Sequence, residues 1–210
     1  MKKKTKKLMI YDATTIKDGW DGFGNDGLAY SWFAGSRLYR WARWLDEVKG
    51  VTSWEEALDW VLEQGKDAKI SQIQYWGHGS WGNVWIGKTA LNKATVTKDS
   101  ELHRKWAEVK KVLSDDALIW FRTCSTFGNG GGQAFARRFT DFMECKVAAH
   151  THIIGPLQGG LHSLSPGQDI YWPQKEGVLV GDNGKESSLW TEWKTPNTIV
   201  CLRGVLPEGW

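Results

Sequence analysis

Short apolar runs alternate along this chain with longer stretches in which apolar residues recur every three or four positions. Leu8-Met9-Ile10-Tyr11 is the first run and reads as a strand. Leu38, Trp41, Leu45 and Val48 recur at helical spacing up to Gly50. Ser53 followed by Glu56 is a capping box, which predicts a helix carrying Trp54, Leu58, Val61 and Leu62 up to Gly65. Residues 70–76 read as a strand. Val84-Trp85-Ile86 and Thr95-Val96-Thr97 are rich in β-formers and predict a small hairpin. Leu102, Trp106, Val109 and Leu113 form another helical stripe. Residues 117–121 are continuously apolar, as expected of a central strand covered on both faces. Phe135, Phe139 and Phe142 predict a helix, 146–149 a strand, and 198–202 a last strand after loops rich in Gly, Ser and Pro. Strands alternating with helices predict an α/β sandwich around a mainly parallel sheet.

Composition narrows the class. A chain of 210 residues can bury one sizeable core, and no linker divides it. With 41% hydrophobic and 24% charged residues it reads as a soluble globular protein. No apolar run approaches the ~18 residues of a membrane span. The basic N-terminus has no apolar region or cleavage site behind it, so a secretory signal is not expected. Three cysteines, widely spaced, give neither a full set of disulfides nor a metal pattern, and point to a reducing compartment. The expectation is a soluble cytoplasmic protein, complete from Met1, with a basic tail over residues 1–7 and a single domain over 8–210. The formal charge of +3 owes everything to Lys2, Lys3, Lys4, Lys6 and Lys7; without them the remainder is near −2. No basic domain surface is therefore expected, and nucleic acid is not an expected partner. The fifteen tryptophans are spread over predicted helices, strands and loops without a repeat, and read mainly as packing.

Candidate chemistry lies in two turns. His78 sits in Tyr75-Trp76-Gly77-His78-Gly79-Ser80, just past the strand 70–76. Cys124 sits in Ile119-Trp120-Phe121-Arg122-Thr123-Cys124-Ser125, just past the strand 117–121. One helix lies between them, the content of a right-handed crossover that makes the two strands parallel neighbours ~4.8 Å apart. Histidine and thiol then meet at the carboxyl edge of the sheet, where α/β folds place their sites. That is the arrangement of a base-activated cysteine nucleophile. The run Gly128 to Gly132 lets a helix start near Gln133, and its positive end would favour the thiolate. The backbone N–H groups of Gly79 and Cys124 are candidate oxyanion donors.

Other readings of the same residues are less favoured. Cys145 and Cys201 lie in apolar runs and read as core. His150, His152 and His162 lack a third and fourth ligand at suitable spacing for a metal, and could instead flank the cleft. The acidic, glycine-rich stretch 19–27 does not match a calcium loop. The run 128–132 lacks the Gly-Lys-Ser/Thr ending of a phosphate loop, and Ser125 has no nucleophile elbow. No cofactor or metal is implied.

A strand ending in His-Gly, then a strand ending in Cys-Ser before a glycine-led helix, resembles the caspase–hemoglobinase (clan CD) cysteine peptidases. The matching stretches are Gln74-Tyr75-Trp76-Gly77-His78-Gly79 and Ile119 to Ser125, with Gly-Gly-Gly-Gln-Ala-Phe-Ala downstream. The resemblance implies a three-layer, caspase-like α/β/α sandwich, with Cys124 as nucleophile and His78 as general acid or base. It also implies that Asp12 and Arg122 help to form the pocket for the residue before the scissile bond. A free Asp12 would select Lys or Arg there, a free Arg122 would select Asp or Glu, and a pair of the two would leave selection to shape. The lean is to a basic residue. The chain departs from the pattern at Arg122, where metacaspases carry an acidic residue. The expected activity is thus peptide-bond hydrolysis by a His/Cys dyad. The alternatives are a non-catalytic module of the same fold, with a partner surface around Trp81, Trp85 and Trp172, and a carbohydrate-binding domain.

Overall fold

The structure, a computed structural model, describes residues 5–15, 26–97 and 99–210, and of 26–30 the backbone alone. The stretch 19–27 and the first lysines therefore fall largely outside the described residues. Lys6 and Lys7, expected in the tail, instead open strand β1 (Thr5–Asp12).

Six strands form the central sheet. β1 is followed by helix α1 (Asp26–Trp41), strand β2 (Glu47–Val51), helix α2 (Trp54–Gln64) and strand β3 (Lys69–Trp76). A meander of three short strands interrupts the next crossover: β4 (His78–Ser80), β5 (Asn83–Ile86) and β6 (Thr89–Asn92). Then come helix α3 (Glu101–Val112), strand β7 (Leu113–Arg122), helix α4 (Asn129–Met143) and strand β8 (Lys146–His150). Beyond these lie β9 (Leu157–Gln158), β10 (Leu161–Leu164), the hairpin β11 (Val178–Val180) with β12 (Glu186–Ser188), and β13 (Ile199–Val200). The sheet order is β10-β8-β7-β3-β1-β2, parallel throughout except for the antiparallel edge strand β10.

Alternation along each strand divides the core between the two faces. Leu8, Ile10, Ile73, Ile119 and Phe121 join Leu58, Val61, Trp106, Phe135 and Phe139, so α2, α3 and α4 cover one face. Met9 and Tyr11 turn the other way, onto Tyr39 and Leu45. Trp120, Ala148 and Leu161 share that second face with Ile199 of the C-terminal segment. The third layer is thus α1 together with the chain from 199 onward. Helix α2 starts as expected: the Ser53 hydroxyl accepts from the Glu56 N–H at 3.1 Å. The return arm differs, for Glu56 accepts from the Thr52 N–H at 2.9 Å.

Three expected elements come out differently. The stripe Leu38 to Val48 is not one helix; α1 ends at Trp41, Arg43 adopts φ 57°, and Val48 lies in β2. The open edge of β1 takes residues 47–51 as a parallel partner, which outweighs local helical spacing. The partner of β5 is 89–92, with 95–97 in a turn. Residues 198–202 contribute only β13, which pairs with β9 outside the main sheet. No helix among the described residues is long and apolar enough to cross a membrane.

Candidate active site

Strands β3 and β7 are parallel neighbours, with Tyr75 opposite Phe121 and Trp76 opposite Arg122. Their carboxyl ends deliver the two candidate turns side by side. The β4–β5 hairpin is tied directly to the loop after β7. Its Gly82, at φ 73°, donates its N–H to the Thr126 carbonyl at 3.0 Å. Gly79 lies so close to the same loop that a Cβ there would stand 2.8 Å from the Cys124 carbonyl oxygen and 2.7 Å from Thr123 Cβ. Only a residue without a side chain lets the two turns approach this far. On its other side the loop extends the sheet: Ser125 (φ 53°) donates to the His152 carbonyl and Phe127 to the His150 carbonyl, each at 2.9 Å. Thr123 and Thr126 close it with a hydroxyl–hydroxyl bond of 2.7 Å.

His78 and Cys124 line one cavity of about 440 Å³. Trp32, Gly35 and Leu38 of α1 form one wall, Ile154 to Pro156 another, and Trp76, Arg122, Gln158, Cys201 and Leu202 complete it. The His78 ring is exposed and meets the Trp32 ring edge to face at 5.3 Å. Cys124 is half-buried, and its Sγ lies 3.8 Å from the Ile154 carbonyl. Burial pushes the thiol above the ordinary cysteine value; a backbone hydrogen bond with Ile154 acts the other way and is outweighed. The thiolate expected from a helix end is therefore not favoured. Helix α4 starts at Asn129, five residues on, and the field of a helix end fades within its first turn. The Cys124 N–H has no backbone acceptor among the described residues.

The two expected pocket residues part company. Arg122 lines the cavity but is only 2% exposed. Its guanidinium lies between the Trp76 and Trp120 rings, 4.3 and 4.4 Å from their centroids. Nε and Nη2 donate to Gln158 Oε1 at 3.0 and 2.7 Å, and Nη2 also donates to the Cys201 carbonyl at 2.6 Å. Nη1 donates to the Tyr39 hydroxyl and the Arg203 carbonyl, both at 2.9 Å. Burial lowers its pKa and the Tyr39 contact opposes the fall, but a guanidinium keeps its proton at any physiological pH. No carboxylate pairs with it among the described residues. Its donors are committed to neutral acceptors, and its work is to clamp the C-terminal segment against the sheet.

Asp12 does not line the cavity. It is buried and accepts from the Thr14 N–H at 2.9 Å, the Thr14 hydroxyl at 2.7 Å and the Gly87 N–H at 3.1 Å. It fastens the end of β1 to the turn between β5 and β6, and neither pairs with Arg122 nor faces a ligand there.

Cys145 is buried in the core, as expected. Cys201 is not core: it is half-buried and lines the cavity. Trp172, expected on a partner surface, is 4% exposed and stacks on Phe127 at 5.4 Å, with its indole N–H on the Phe127 carbonyl. His162 Nε2 donates to the Glu176 carboxylate at 2.7 Å, and Thr151 donates to the same carboxylate at 2.8 Å. No group of three or more metal-binding side chains comes together among the described residues. The sequence missed Gln158, Cys201 and α1 as parts of the cavity. No local pattern marks them, because each arrives from a distant part of the chain.

Residues 46–165 match the family model described as Domain of unknown function (DUF4347). The match covers more than half of the chain. The chain belongs to that family. The matched region holds both candidate turns and Arg122, whereas α1 and the segment from 199 onward lie outside it. No curated protein matches the chain.

Proposed function

We propose that this DUF4347 protein is a cysteine peptidase of caspase-like architecture, with Cys124 as nucleophile and His78 as its proton-transfer partner. The observation that carries the reading is the shared cavity at the carboxyl ends of β3 and β7. The parallel sheet, the helices packed on it and the position of the two motifs at its edge support the resemblance to clan CD. At rest the thiol is protonated, so the reaction begins with His78 taking that proton as sulfur attacks a peptide carbonyl. The Cys124 N–H then faces the developing oxyanion. His78 returns the proton to the leaving amine, and water releases the acyl group from sulfur. A free thiol nucleophile also suits a reducing, cytoplasmic setting; all three cysteines are unpaired.

The preference for a basic residue loses its support, since Asp12 is outside the cavity and, among the described residues, the charged group in the wall is Arg122. An uncharged, apolar side chain fits a wall of Trp32, Leu38, Trp76 and Leu202. The test is labelling by a cysteine-directed acyloxymethylketone. Labelling of the wild type, lost in Cys124→Ala and slowed in His78→Ala, supports the dyad. Equal labelling of Cys201 and Cys124 with no dependence on His78 would remove it. One observation favours the non-catalytic module instead: a half-buried thiol whose pKa is raised rather than lowered. An inert thiol in a folded protein would select that reading.

A further inference from the structure

Outside the cavity, helix α1 and the C-terminal segment form one continuous surface of unusual composition. A Cβ on Gly204 would lie 3.2 Å from the Tyr39 ring and 3.3 Å from Trp44, so the two stretches are packed together. The Tyr39 hydroxyl is also bonded to the Cys201 carbonyl. Large apolar side chains stand in solvent along this surface: Trp41 is 82% exposed, and Phe33, Leu38, Trp44, Leu202 and Val205 are 39% exposed or more. Arginines are interleaved with them. Arg37, Arg43 and Arg203 are exposed and have no ion-pair partner among the described residues. Arg40 alone is paired, with Glu47 at 3.4 Å. Residues 31–45 and 199–206 contain these four arginines and not one Asp or Glu. The charge near −2 of the chain without its five N-terminal lysines conceals this patch.

Leu38 and Leu202 belong both to this surface and to the cavity wall. Leu38 lies within one turn of Arg37 and Trp41 on α1, and Leu202 precedes Arg203, so the cavity wall and the exposed strip share a border. A concave slot that opens onto a strip suits an extended chain better than a flat sheet of lipid or a duplex. We propose that this face is a docking site for an acidic, apolar-containing polypeptide segment, the part of a substrate that lies beyond the residue held in the cavity. Carboxylates pair with Arg37, Arg43 and Arg203, and apolar side chains cover Trp41 and Leu202. Calling the occupant a substrate rests on the peptidase reading; the surface itself does not.

The test is fluorescence anisotropy with a labelled peptide that alternates Glu and Leu, beside Gln/Leu and Lys/Leu versions of the same length. The Glu peptide should bind at least about tenfold tighter than the Gln peptide, roughly 1.4 kcal/mol, and weaken as salt is added. Reversal of the exposed charges (R37E/R43E/R203E) should abolish this preference while circular dichroism and the melting profile stay unchanged. Binding should persist in Cys124→Ala. Persistence together with failed acyloxymethylketone labelling would leave the docking site standing and remove the peptidase. Equal binding of the three peptides, no binding of any, or an unaltered Glu preference after charge reversal would overturn the proposal. So would capture by phosphatidylserine vesicles in the absence of peptide binding, which would make the face a membrane contact.

Discussion

Acid should destabilise this protein in large part through one histidine. His150 is fully buried at the end of β8, and its Nδ1 lies 3.1 Å from the Gly159 carbonyl. A carbonyl accepts only, so Nδ1 carries the proton and Nε2 is bare; no partner reaches Nε2 among the described residues. Burial, then the nearby Arg122 charge, lower its pKa from 6.5 to about 3; the Gly159 bond opposes them, and His162 and His152 add to the fall. The folded state therefore stays unprotonated at pH values where the unfolded chain takes up a proton. Its contribution is complete above the unfolded value and is lost as pH falls from there toward the folded one. Each pH unit is worth about 1.4 kcal/mol, so roughly 2 kcal/mol is gone by about pH 5 and about 5 kcal/mol at the acid limit. That limit is a large fraction of the ~5–15 kcal/mol that holds a typical domain folded. Urea denaturation of wild type and His150→Gln at about pH 7.5 and about pH 5 reads the effect, because glutamine retains an N–H for Gly159 and does not titrate. The wild-type midpoint should fall by about 1 M more than the variant's between the two pH values. Equal shifts would show that His150 is solvated or protonated in the fold and would refute the reasoning. Lowering of the Glu176 pKa, in which the His162 and Thr151 contacts outweigh burial, adds acid sensitivity common to both proteins and cancels in the comparison.

Gly79→Ala should separate the two turns, since its Cβ would meet Thr126 Oγ1 at 2.6 Å and the Cys124 carbonyl at 2.8 Å. A cost of about 1–3 kcal/mol and a loss of acyloxymethylketone labelling out of proportion to it are expected; undiminished labelling would show that the close approach is dispensable. Arg122→Lys keeps the charge but cannot serve four acceptor groups, so about 3 kcal/mol or more should go, with protease cutting first near residues 200–205. A wild-type proteolysis pattern would contradict the clamp. Asp12→Asn should cost about 1–2 kcal/mol through the Gly87 N–H, without changing selection in a fluorogenic panel of Arg, Lys, Asp, Glu and Leu. A change confined to Arg and Lys substrates would restore Asp12 as a specificity group.

What the sequence determined by itself is local. Short apolar runs marked β1, β7 and β8, the apolar-rich stretch 70–76 marked β3, and three-to-four spacing marked α2, α3 and α4, because a side chain's burial repeats with the period of its own backbone. The glycines beside His78 and after Cys124 were equally readable, since a tight turn needs them wherever it occurs. Tertiary structure decided the rest. Strand β2 has the half-buried sequence Glu-Val-Lys-Gly-Val, and only the vacant edge of β1 makes it a strand. The antiparallel β10 was hidden among glycine- and serine-rich loops in the same way. Arg122 reads as a pocket charge until Gln158, Tyr39, Cys201 and Arg203 arrive from distant positions to satisfy it. Cys201 reads as core until the C-terminal segment packs on the sheet and leaves it, like Cys124, in the cavity wall. Spacing along the chain records contacts between near neighbours. The burial of a charge and the walls of a cavity depend on partners tens of residues away, and no local period carries that information.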